Sequence, residues 1–211
     1  MLGNLKNSGK DWFPKKESTQ VKVYDFTGKN LGKAVPYGVY DVAKDEAWVS
    51  VGIISDTASF AVSSIRNWWN EMGKIAYINV PKIYITADGG GSNSSRSKSW
   101  KKELQLFANE TNMEVNVSHY PPGTSKWSKI EHKLFSFISI NWRAKPLLNL
   151  QIVVNLVGAT TTVKGLKVKA KIDYRIYEKG IVVTDEELSK IKIIKNDFHG
   201  EWNYIIKPNN V

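Results

Sequence analysis

The chain has 211 residues, with 30 Lys and Arg against 20 Asp and Glu, eight Trp, three His and no cysteine. That length holds one α/β core with at most a small extension, and a net charge of +10 points to a polyanionic partner, nucleic acid first, against the plainer reading of a merely basic protein. Without cysteine there is no disulfide framework or thiolate zinc site; the polar, basic start and the lack of any apolar run near roughly 18 residues argue against a signal peptide and a membrane span, and the expected place is the cytoplasm.

Residues 1–20 show no sustained period and carry excess Lys, which reads as a loop or arm. Residues 21–26 alternate as a short strand, and residues 28–32 form a turn. Residues 34–40 and 48–53 read as an antiparallel hairpin around a polar link in which Asp41 and Asp45 are turn residues. A helix then starts at Asp56 or Thr57, keeps Phe60, Ala61, Ile65, Trp68 and Met72 in helical period, and takes Gly73 as its stop.

The apolar, β-branched run of residues 83–87 reads as a buried strand, and Asp88 opens the glycine turn that follows. An acid at the carboxyl end of such a strand sits where open α/β sheets place their chemistry. Turn punctuation is the plainer explanation of Asp-Gly, and on this segment alone it is the favoured one. Ser94 or Ser95 can cap a second helix that carries Trp100, Leu104, Phe107 and Ala108 inward. Arg96, Lys98, Lys101 and Lys102 surround its first turns, where positive charge opposes the macrodipole; an external anion would explain them, and a solvated basic face is the commoner alternative.

Residues 113–119 alternate as a strand, Pro121-Pro122-Gly123 breaks the chain, and one helix is expected from Thr124 or Ser125 through Arg143. At about 100° per residue, Trp127, Ile130, Leu134, Phe135, Ile138 and Trp142 share a face with Glu131 in its middle, while Lys126, Lys129 and Lys133 cluster on the other side. A bare carboxylate on a packing face costs several kcal/mol unless a cation or donors compensate it. A salt bridge is one answer and a metal site the other; two acids, one at a strand end and one on a later helix, suit Mg²⁺ or Mn²⁺ held by oxygen ligands for phosphoryl transfer. The element order (hairpin, helix, strand, helix, strand, helix) resembles a ribonuclease H-like layer fold, an α/β mixed sheet with helices on both faces.

Beyond Pro146, residues 150–157 have helical spacing, residues 167–177 are basic and β-like, and Thr184-Asp185-Glu186-Glu187 forms a capping box. In the closing stretch, His199 and Glu201 could join a site, with loop packing of the aromatic residues as the plainer reading.

Four stretches carry a family resemblance: Ile85-Thr86-Ala87-Asp88-Gly89-Gly90-Gly91-Ser92-Asn93; His119-Tyr120-Pro121-Pro122-Gly123-Thr124-Ser125-Lys126-Trp127; Lys129-Ile130-Glu131-His132-Lys133-Leu134-Phe135-Ser136-Phe137-Ile138; and Asp197-Phe198-His199-Gly200-Glu201-Trp202-Asn203-Tyr204. The chain resembles, over nearly its whole length, the Rhodopirellula-type (ISAzo-type) insertion-sequence DDE transposases. The resemblance implies a ribonuclease H-like domain whose three acids bind two divalent metals, Mg²⁺ or Mn²⁺, and cleave and join DNA. Asp88 would be the second acid and Glu131 the third, both catalytic and both metal ligands; by their charge and helix placement, Arg96, Lys98, Lys101, Lys126, Lys129 and Lys133 are expected to face DNA.

The family's first acid lies in an Asp-Thr-Lys-Lys-Lys-Glu-like segment just before the part matching Leu2-Gly3-Asn4-Leu5-Lys6-Asn7. By resemblance, that acid and the sheet's first strand are missing here, so residues 1–165 read as a truncated catalytic domain and residues 166–211 as an extension packed on it. The partners implied are transposon ends and target DNA, with a homo-oligomer compatible. The expected function is that of a transposase fragment inactive alone; a DNA-binding remnant or modulator of the full-length enzyme is the alternative, and a divergent nuclease with Asp25 as first acid is a third.

Overall fold

The structure, a computed structural model, describes residues 2–22, 32–54, 56–121 and 123–209. In chain order, strands β1 (Val35–Asp41) and β2 (Glu46–Gly52) precede helix α1 (Ala58–Trp68), a π-helical turn (Trp69–Gly73) and the single turn α2 (Lys74–Ala76). Strand β3 (Lys82–Ala87), helix α3 (Lys98–Thr111) and strand β4 (Glu114–His119) follow. A second π-helical turn (Glu131–Phe135) leads into α4 (Ser136–Asn141), and then come α5 (Leu150–Gly158), β5 (Lys167–Asp173), α6 (Asp185–Ser189), β6 (Ile193–Lys195) and β7 (Asn203–Ile206).

These elements form two compact units. The first, Met1–Ile54 with Ile130–Ile176, holds a three-stranded sheet in the order β1-β2-β5. β1 and β2 form the expected antiparallel hairpin, with Val39 opposite Trp48, and β5 runs parallel to β2, with Ala170 opposite Val49. At the hairpin turn the Asp41 carboxylate accepts the Ala43 and Lys44 N–H groups at 3.0 and 3.1 Å, and Asp45 takes a left-handed φ of 52°. Ala47, Val49 and Val51 on β2 are fully buried with Leu134, Ile138, Val153, Val157 and Leu166. A methyl group at Gly38 would stand 2.9 Å from the Phe135 ring and 3.1 Å from Leu134, so glycine there lets β1 approach the π-helical turn without displacing those side chains.

The second unit, Ser55–Lys129 with Tyr177–Val211, holds a four-stranded sheet in the order β3-β4-β7-β6. β3 and β4 are parallel, with Ala87 opposite His119, while β7 is antiparallel to both of its neighbours. Alternation in β4 buries Val115, Val117 and His119. On α3, Trp100, Leu104, Phe107 and Ala108 turn inward as their spacing predicts, each with no exposed surface. Ser97, rather than Ser94 or Ser95, caps this helix by accepting the Trp100 N–H. Thr57 caps α1 by accepting the Phe60 N–H, and the Thr184 capping box of α6 is present.

Several expectations are corrected. The strands make two mixed sheets where the sequence reading expects one. Residues past 165, read as an extension packed on the core, supply strands to both sheets: β5 joins the first, while β6 and β7 belong to the second. Gly73 does not stop its helix; the Lys74 N–H bonds the Trp69 carbonyl through a π turn, and a methyl on Gly73 would meet Trp69 at 2.5 Å. Of the two readings of the first residues, loop or arm, the loop holds: Leu2 is buried in the first core, and Asn7 Nδ2 donates to the Trp142 and Lys145 carbonyls at 2.9 and 3.3 Å. The strand expected over residues 21–26, with Asp25, lies outside the described residues except for Val21 and Lys22; Lys22 forms an isolated parallel bridge with Leu5.

Candidate functional site

In the second unit, Asp88 follows β3 directly and is exposed. Its Oδ1 accepts the Gly90 N–H at 3.3 Å, an Asx turn that leaves Oδ2 to solvent or a ligand. Gly89 and Gly91 take φ values of 74° and 55°, which side chains rarely adopt. A Cβ at Gly89 would stand 3.2 Å from the Tyr120 carbonyl, and one at Gly91 3.2 Å from Asp56 Oδ2, so side chains would also crowd the turn. Beside it opens a cleft of about 280 Å³, lined by Asp56, Thr57, Ser92, Ser97 and Lys179 among others.

Below the turn lies a buried polar relay. Trp100 Nε1 donates to the Tyr204 hydroxyl at 2.9 Å, and that hydroxyl lies 2.9 Å from His119 Nε2. The phenol has one proton to give, and His119 Nε2 is the remaining acceptor, so the arrangement that satisfies most groups puts the imidazole proton on Nδ1. His119 Nδ1 is buried without a partner and stands 3.9 Å from where a Gly89 Cβ would be. Burial, and next the Lys101 charge, push the His119 pKa down to about 4, so the ring is neutral near pH 7. Burial likewise raises the Tyr204 phenol above its usual range.

The basic residues of α3 have internal partners that sequence reasoning missed. Lys98 Nζ pairs with Asp185 at 2.6 Å and Lys102 Nζ with Glu187 at 2.7 Å, so the first turn of α6 supplies anions to the start of α3. Lys101 lies 5.6 Å over the Tyr204 ring, and burial followed by the nearby Lys195 charge lowers its pKa. Arg96 has no carboxylate partner among the described residues.

Glu131 belongs to the first unit, and Asp88 to the second. The expected single helix is interrupted: Ser125–Trp127 is a 3-10 turn, and the Ser136 N–H then bonds the Glu131 carbonyl five residues back. That π turn shifts the helical register, and the apolar face keeps Leu134 and Ile138 buried while Trp127 is 59% exposed. Glu131 is exposed in the first turn, where the helix dipole favours an acid, so desolvation gives it no need of a cation. Its place in a site rests on the motif. Lys126 sits in the 3-10 turn rather than on a face shared with Lys129 and Lys133, both of which are exposed. Among the described residues no three His, Asp or Glu side chains converge as a metal site. The exposed Asp88 oxygens have the donor chemistry that fits Mg²⁺ or Mn²⁺, without a complete ligand set beside them.

An α/β chain with two mixed sheets and an acid at a strand's carboxyl end is compatible with a transposase catalytic domain. The family model described as the Rhodopirellula transposase DDE domain matches residues 1–208, and the chain belongs to that family. No curated protein and no solved structure matches it. No described helix is long and apolar enough to cross a membrane.

Proposed function

We propose that this chain is catalytic machinery of an insertion-sequence transposase, with Asp88 and Glu131 as two of its three metal-binding acids and DNA as its substrate. The family match over residues 1–208, with Asp88 in the glycine turn after β3, carries the reading. By resemblance the family's first acid belongs to an Asp-Thr-Lys-Lys-like segment; Asp25, the alternative first acid, lies outside the described residues.

When bound, Mg²⁺ or Mn²⁺ would activate a water or hydroxyl nucleophile and stabilise the leaving oxygen. Asp88 supplies one carboxylate from a turn fixed by its glycines, and Glu131 a second from the start of a helix. A DNA-binding modulator without catalysis is the second reading, favoured by Arg96, Lys129 and Lys133, which have no carboxylate partners among the described residues.

The test is Mn²⁺-dependent cleavage of DNA carrying the element's ends, comparing this chain with a version extended upstream through an Asp-Thr-Lys-Lys-like segment. Cleavage only by the extended protein, lost in Asp88→Asn and in Glu131→Gln, supports the transposase reading. Cleavage by the short chain that is lost in Asp25→Asn would make Asp25 the first acid. DNA binding with no cleavage by either protein would leave the modulator.

A further inference from the structure

The loop between β6 and β7 holds three aromatic rings, and its backbone is closely tied. Trp202 and Asn203 donate their N–H groups to the His199 carbonyl at 2.9 and 2.8 Å, and Asn203 Nδ2 donates to the Phe198 and His199 carbonyls at 3.1 and 3.2 Å. His199 itself takes a left-handed φ of 48°. At Gly200 a Cβ would fall 2.6 Å from the Asn196 carbonyl and 2.8 Å from Lys195 Cβ, so the loop closes only with glycine.

A loop this constrained nonetheless presents apolar surface to water. Phe198 is 75% exposed; its ring meets the His199 ring edge-on at 4.5 Å, and His199 stacks on Trp202 at 5.0 Å with 21° between planes. A pre-ordered exposed aromatic stack loses little entropy when a flat ligand settles on it. The loop's place is also fixed, because the His119 N–H donates to the Trp202 carbonyl at 2.9 Å. His119 ends β4 opposite Ala87, so the stack lies at the same end of the sheet as Asp88.

Charge narrows the choice of ligand. Lys195 stands exposed at the foot of the loop and is close enough to Lys101 to perturb it. Neither ammonium has a carboxylate within ion-pair distance among the described residues. The loop's own acid, Glu201, is engaged by His199 Nδ1 at 3.0 Å, although it also feels the Lys195 charge. Two neighbouring cations beside an exposed ring match a nucleotide, with its flat base and its phosphate. Bases within a duplex have both faces covered by their neighbours, so only an unstacked base can lie on Phe198.

We propose that the Phe198–His199–Trp202 stack is a platform for one unpaired nucleobase at the Asp88 end of the sheet, with that nucleotide's phosphate held by Lys101 and Lys195. The proposal rests on the DNA-binding reading and adds the form of DNA that this surface selects.

Fluorescence anisotropy with three labelled DNAs tests it: a single strand, a blunt duplex, and a duplex ending in a short unpaired overhang. The intact chain should prefer the single strand and the overhang. Phe198→Ala should weaken both by about fivefold or more, the size of one lost base–aromatic stack, and leave the blunt duplex unchanged. Phe198→Tyr should retain the preference, and Lys195→Gln should lower the salt dependence of binding to the single strand and the overhang more than to the blunt duplex. The unfolding midpoint of Phe198→Ala should match the parent because the ring is exposed. Equal loss on all three DNAs, no loss on any, or self-association of the chain through Phe198 would overturn the platform while leaving DNA binding in place. Failure of the parent chain to bind any of the three would overturn the platform and the DNA-binding reading together.

Discussion

The Tyr204 hydroxyl lies 2.9 Å from His119 Nε2, to which it donates when the imidazole proton is on Nδ1, and accepts the Trp100 indole N–H at the same distance. Trp100 has no exposed surface and Tyr204 has 2%, so water cannot replace either bond. Tyr204→Phe would orphan two buried polar groups, each at about 1–3 kcal/mol. Urea unfolding should show a loss of roughly 2–4 kcal/mol. A loss below about 0.5 kcal/mol would mean that water reaches the relay.

His119 makes stability depend on pH with a defined sign. Its folded pKa of about 4 lies below the unfolded value near 6.5, so between these limits the unfolded chain binds the proton and the folded chain does not. Stability is therefore full above about pH 6.5 and falls as pH drops toward 4, by up to about 3 kcal/mol. His119→Asn should flatten that part of the unfolding-midpoint profile against pH. An unchanged slope would assign the dependence to other groups.

The ion pairs of α3 and α6 separate two kinds of lysine. Lys98 and Lys102 are held by Asp185 and Glu187, whereas Lys129 and Lys133 are exposed without ion-pair partners among the described residues. Lys129→Ala with Lys133→Ala should reduce the salt slope of DNA binding by about 1–2 units, and Lys98→Ala by less. Asp185→Asn with Glu187→Gln should raise DNA affinity by releasing the α3 lysines, with little change in the unfolding midpoint because exposed pairs contribute little. Equal slopes for both sets of lysines would count against this division.

Gly73 carries a packing requirement. A methyl there would stand 2.5 Å from Trp69 and 3.2 Å from Trp68, so Gly73→Ala must move an indole or open the π turn. The expected cost is about 1–3 kcal/mol, despite alanine's better helix propensity, and calorimetry would read it as a lowered unfolding temperature. A stabilised variant would show that the turn relaxes into regular helix.

Short-range periodicity made much of this fold legible. The hairpin, the strand β4, the inward face of α3 and the Thr184 capping box all follow from patterns within a few residues; β3 was legible as a strand but not as a buried one, for it is an edge strand among the described residues, with Tyr84 67% exposed. Two kinds of feature did not. The π turns at Trp69–Gly73 and Glu131–Phe135 add a residue to the helical count, which arithmetic at a fixed angle cannot anticipate. The π turn at Glu131–Phe135 shifts the faces expected from regular helix arithmetic, and Lys126 and Trp127 lie before it in a separate 3-10 turn. The partners of Lys98 and Lys102 come from α6, far along the chain, and β6 and β7 are too short to show a period of their own. At the candidate site, the glycine turn was readable because the backbone needs those residues, while the relay under it depends on Tyr204 arriving from another strand.

β7 lies between β4 and β6, although it is the last described strand in chain order. A ribosome releasing this chain therefore delivers β3 and β4 long before the strand that completes their ladder. Until residues 203–206 emerge, the far edge of β4 is unpaired, with Val115 and Val117 lacking the cover of Tyr204 and Ile206. The second sheet should thus form only after synthesis of its last strand, in one late and sequence-distant step, and the nascent chain should depend on holding chaperones through that interval.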